Sequence, residues 1–110
     1  MIDKHFTIET NASGNPVFHR VENLAIQIVI SEDHSMGRTH VELSGDEASL
    51  NRLAEILIGV SKSKGYHVHL DASDSSNLRI RPTAIQLTVS NSESPAPNTA
   101  SRILPPDWAR

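Results

Sequence analysis

A chain of 110 residues with 37% hydrophobic content is long enough for one domain around one core. Its net charge of −3 and its few aromatics, Phe6, Phe18, Tyr66 and Trp108, argue against a nucleic-acid partner and against a base-stacking platform. It has no cysteine, which excludes disulfides and thiolate chemistry, and no run near ~18 apolar residues, which excludes a membrane-spanning helix.

The opening MIDKHFTIET lacks a basic segment followed by an apolar run. A signal peptide is therefore not expected, and a soluble cytoplasmic protein is. Ile2–Thr10 alternates, with Phe6 and Ile8 on one face, and reads as a strand. NASGNP at 11–16 is a turn cluster, and Val17–Val21 reads as a second strand, so a hairpin is predicted. Leu24–Ser31 is the strongest strand signal. Leu24, Ile26, Ile28 and Ile30 alternate with Ala25, Gln27, Val29 and Ser31, and both faces are largely apolar, which predicts a central strand. EDHSMG at 32–37 is an exposed loop. Arg38–Leu43 alternates again, with Thr39, Val41 and Leu43 predicted inward and Arg38, His40 and Glu42 outward.

The next stretch organises the chain. Ser44 with Glu47 three residues on is a capping-box pattern. Asp46 and Glu47 place negative charge at the positive end of the helix dipole, and Lys62 and Lys64 place positive charge at the other. Gly65 supplies a left-handed stop, so a helix is predicted over about 46–64. At about 100° per residue, Leu50, Leu53, Ala54, Ile56, Leu57, Ile58 and Val60 fill an arc of about 200°, wider than one sheet contact needs. The C-terminal tail or a second copy of the chain is expected to cover its edge. Gly59 falls in the polar arc, as a tolerated surface glycine costing roughly 1 kcal/mol against Ala.

After Gly65, Tyr66, Val68 and Leu70 point one way and His67, His69 and Asp71 the other. Ala72–Asn77 is a Ser/Asp loop. Leu78–Arg81 places Arg79 and Arg81 outward, and Pro82 marks an edge or a break. Ala84–Ser90 is a last strand. Ser90–Ser101 is a Pro/Ser/Asn linker, and RILPPDWAR closes the chain with Trp108, expected to pack on spare helix surface. The predicted fold class is α+β: a mostly antiparallel sheet of about six strands with one long helix on one face, a single domain over 1–90 and a flexible tail over 91–110.

HVHLD is the sharpest local motif. Two His at i and i+2 on a strand point the same way and can share a metal, with Asp71 as a third ligand. The competing reading is a polar sheet face or a partner-binding patch. Asp33, His34 and Ser35 are adjacent in one loop, and three consecutive residues rarely converge into a catalytic triad. Arg79 and Arg81 fit cross-strand pairing with acids, or a grip on a phosphate or a partner's carboxylate.

The turn LSGDEASL, the helix LNRLAEILIGV and the HVHLD strand resemble a family of immunity proteins from bacterial polymorphic toxin systems, over Leu43–Asp71. The resemblance implies an α+β protein encoded beside a toxin, which it neutralises by binding; with no obvious catalytic set in the sequence, neither enzyme activity nor a cofactor is expected. It carries no established binding residues. From alternation, the expected partner surface is His67, His69 and Asp71 flanked by Arg79, Arg81 and His40, with Glu32 and Asp33 as a second acidic candidate. Two alternatives stand beside it: a metal-binding protein or metal-dependent enzyme using His67, His69 and Asp71, and an oligomeric interaction module, such as a homodimer, with no toxin partner.

Overall fold

The computed structural model describes residues 1–70 and 78–94. Strands β1 (Ala25–Asp33) and β2 (Arg38–Ser44) form an antiparallel hairpin, in register from Gln27 opposite Ser44 to Asp33 opposite Arg38. Helix α1 (Glu47–Ser61) follows, then β3 (His67–Leu70), β4 (Arg79–Arg81) and β5 (Leu87–Ser90). β4 joins the free edge of β1 in parallel, with Ile26 opposite Ile80, so β1 is the central strand its sequence implies. β3 pairs antiparallel with β5 in a second sheet, with Val68 opposite Val89. The class is α+β, with five named strands and one helix among the described residues.

The core joins both sheets to one helix. Ile26, Ile28 and Ile80 come from the first sheet, Leu70 from the second, and Leu53, Ile56 and Val60 from α1; Leu24 and Leu78 lie just outside the strands. Each such side chain stabilises the fold by about 1.5–3 kcal/mol through burial. Gly65 adopts the left-handed backbone expected of it, φ 76°, after the turn that follows α1. β4 stops at Arg81, before Pro82, at the edge of its sheet.

Four local expectations are corrected. The helix is capped by Asp46, whose carboxylate accepts the Ser49 N–H at 2.8 Å. Ser44 is instead the last residue of β2, paired with Gln27, and is not available to cap. The N-terminal hairpin is reduced to its turn. Asn11 accepts the N–H groups of Ser13 and Asn15 at 2.9 and 3.1 Å, and one bridge joins Thr10 to Pro16. Beyond that bridge no strand ladder continues: the arms are joined by the side chains of Glu9 and His19, 2.6 Å apart, while Phe18 turns onto the helix and Arg52 donates to the His19 carbonyl.

Gly59 is buried, not a surface glycine: a Cβ there would lie 2.6 Å from Phe18 Cζ and 3.2 Å from Pro16 Cβ. The N-terminal segment thus covers the helix face that the wheel assigns to solvent. The apolar β2 residues, predicted inward, are exposed. Val41 and Leu43 continue the face of Ile28 and Ile30, but the core ends at Ile28. Leu50, Leu57 and Ile58 on the helix are exposed as well.

Asn91, the second residue of the expected linker, is anchored. Its Nδ2 donates to the carbonyls of Val60 and Ser61 at the helix C-terminus, both at 3.1 Å, alongside the Ser63 N–H that the Val60 carbonyl also accepts at 3.1 Å. The loop 72–77, Asp71 and the Trp108 segment lie outside the described residues.

Candidate functional site

Alternation positions the His pair. Leu70 is fully buried and Val68 packs against the core, so His67 and His69 project from the opposite side of β3 and are exposed. Their rings meet edge-on, with centroids 5.0 Å apart and planes 76° apart. His69 Nδ1 lies 3.0 Å from Thr88 Oγ1 on β5, its register partner. Ser90, opposite His67, completes an exposed polar strip of imidazoles and hydroxyls.

The other expected site residues occupy the second polar surface. Ile80 is buried between Arg79 and Arg81, which therefore take the outward side of β4. Register carries that side across β1 through Ala25 and Gln27 to Ser31, opposite His40 on β2. One sheet thus holds Arg79, Arg81 and His40 on a common face, and the other holds His67 and His69. No hydrogen bond or ion pair among the described residues joins the two sets. Asp71, third in the HVHLD triplet, lies outside those residues. Among them, no three His, Asp or Glu side chains cluster closely enough to hold a metal ion.

The predicted 32–37 loop is shorter in the structure: Glu32 and Asp33 are the last residues of β1, and the turn over 34–37 is held from Asp33. The Asp33 carboxylate accepts from Ser35 Oγ at 2.6 Å, from Ser35 N at 3.1 Å and from Met36 N at 3.3 Å. The Ser35 hydroxyl bond, followed by the backbone ones, holds the Asp33 carboxyl below its ordinary value. His34 lies 3.9 Å from Glu32, while Ser35 donates to Asp33 directly, so these residues do not form a nucleophile–base pair.

Two polar residues escaped the sequence reading. Ser49 is buried, and its hydroxyl accepts the Ala25 N–H at 3.0 Å, tying the start of β1 to the first turn of α1. Its side chain and N–H also hold the Asp46 carboxyl below its ordinary 3.8. Arg52 reaches Glu55 at 3.1 Å and places its guanidinium 5.8 Å from the Phe18 ring centroid. The only signal for either was a polar residue near the apolar arc of the helix.

The molecule so described is an α+β module that turns polar strand faces outward and exposes apolar side chains along one hairpin and one helix. Residues 40–91 match the family model of Immunity protein 32. The match runs from His40 on β2 through α1 and β3 to Asn91, just beyond β5, and it supports an immunity protein family for this chain. No curated protein and no solved structure matches significantly. Among the described residues, no helix is long and apolar enough to cross a membrane.

Proposed function

We propose that the protein neutralises a cognate bacterial toxin, encoded nearby, by direct non-enzymatic binding in the cytoplasm. The family match over residues 40–91 carries this reading. The contact surface centres on the exposed strip of His67 and His69 with Thr88 beside it; Asp71, which follows β3 in the sequence, is assigned to it from the HVHLD motif alone. Arg79, Arg81 and His40 extend recognition on the neighbouring sheet. Imidazoles donate, accept and stack, and mixed charge favours specificity and on-rate over raw affinity.

The test mixes the full chain with the toxin-domain product of the adjacent gene and measures binding by calorimetry. His67→Ala with His69→Ala is expected to weaken binding by more than about 1 kcal/mol. Both side chains are exposed, so the melting temperature should stay near that of the wild type. No complex with the adjacent product would overturn the proposal. Unchanged binding of the double variant would move the interface off β3. Loss of a stoichiometric zinc from that variant, with binding intact, would favour the metal reading of His67, His69 and Asp71.

A further inference from the structure

The three-stranded sheet ends on β2, and no described strand pairs with its outer edge. All 7 residues of β2 are exposed. One face is nonetheless apolar. Val41 is 61% exposed, and Ile30, its register partner on β1, is 57% exposed. A free edge presents unpaired N–H and C=O groups and templates the addition of another strand. Native edges are blunted by proline, by bulges or by charges that repel a second strand. RTHVELS has no proline, the β1–β2 register runs without a bulge, and its ionisable side chains run from the cation Arg38 through His40 to the anion Glu42 rather than sharing one sign.

We propose that β2 pairs antiparallel with β2 of a second copy, about a two-fold axis that passes between the two strands at Val41, to form a homodimer with one continuous sheet. A two-fold perpendicular to the sheet keeps the apolar face beside the apolar face, so only residues of like parity oppose each other. Centred on Val41, every residue of the strand has a partner. Val41 meets Val41 of the partner subunit, and Thr39 meets Leu43 of the partner subunit. His40 meets Glu42 of the partner subunit, twice by symmetry, and Arg38 meets Ser44 of the partner subunit.

The neighbouring registers are worse. Centring on Glu42 sets two carboxylates opposite each other, which is destabilising. Centring on His40 sets Glu42 opposite Arg38 of the partner subunit, but it opposes two imidazoles, separates the two Val41 side chains and pushes Leu43 and Ser44 past the end of the partner strand. In the Val41 register His40 and Glu42 are each other's antiparallel complement and Val41 is its own, which fits a second copy better than an unrelated strand. The pairing does not use the β3–β5 sheet.

The experiment is sedimentation of the full chain. The wild type is expected at twice the 12.1 kDa chain mass. Val41→Lys, at an exposed position, should give the single-chain mass with an unchanged circular dichroism spectrum. His40→Glu should also give a monomer, and adding Glu42→Lys should restore the dimer. The chain has no cysteine, so Val41→Cys reports the register directly. Self-paired Cα atoms lie at about 4.5–5.5 Å, within disulfide range. Thr39→Cys should not crosslink, because the two copies lie roughly 13 Å apart along the strands.

A monomeric wild type overturns the proposal, including one that dimerises only after residues 95–110 are removed. So does a dimer that survives Val41→Lys. Loss of the dimer in Val41→Lys without charge-swap rescue, or a Thr39→Cys crosslink, overturns the register.

Discussion

Gly59→Ala tests where the helical wheel and the packing disagree. At an exposed helix position this change gains about 1 kcal/mol of propensity. In this fold the new Cβ would stand 2.6 Å from Phe18 Cζ and 3.2 Å from Pro16 Cβ. The tip of the ring can swing, but Phe18 packs against the core and beneath the Arg52 guanidinium. Pro16 is held by its bridge to Thr10. Overpacking of this kind costs about 1–3 kcal/mol. Set against the propensity gain, the net effect is a loss of about 0–2 kcal/mol. The sharper signature is a change of sign. In a Phe18→Ala background the main obstruction is gone, and Gly59→Ala should stabilise by up to about 1 kcal/mol. Urea unfolding of all four proteins, with m-values compared, measures the cycle. Stabilisation by about 1 kcal/mol in both backgrounds would refute the contact and return Gly59 to the surface.

Leu53→Ala, at a position only 8% exposed, should cost about 2–5 kcal/mol. Leu57→Ala, at 47% exposed, should cost well under half of that, and equal losses in thermal melts would show that the helix is rotated from its described orientation. Asp46 titrates below its ordinary 3.8 because Ser49 stabilises the carboxylate, so the cap contributes fully above that value and is lost as pH falls through the lower folded value. Asp46→Ala should therefore lower the melting temperature at neutral pH, with the gap to wild type closing in acid. The similar shift at Asp33 is common to both proteins and cancels, so a gap that persists to about pH 2 would mean the ionised carboxylate is not what caps the helix.

Legibility followed the range of the interaction. The helix, its left-handed glycine stop, the central strand and the alternation of HVHL were readable because each is set by residues a few positions apart. The Ser44 cap was misread because two local roles competed, and pairing with Gln27, far away in sequence, decided between them. Phe18 was read as a strand residue because nothing local announces that a glycine on the helix will receive its ring. The parallel pairing of β4 with β1 is likewise invisible to any window, since the hairpin and the helix lie between them in the chain.

The candidate site shows the same division. Outward parity was correct strand by strand for His67, His69, Arg79, Arg81 and His40. Their grouping was not readable, because it depends on which strand joins which sheet. The deepest gap concerns Val41, Leu43, Leu50 and Leu57. Periodicity reports that a face is apolar, and it is silent on what covers that face. A strand whose apolar side meets its own core and one whose apolar side meets another chain carry the same pattern. Only the surrounding surface separates them, and it leaves these side chains open within the stretch that matches an immunity protein family. Alternation alone assigns such open apolar side chains to the interior.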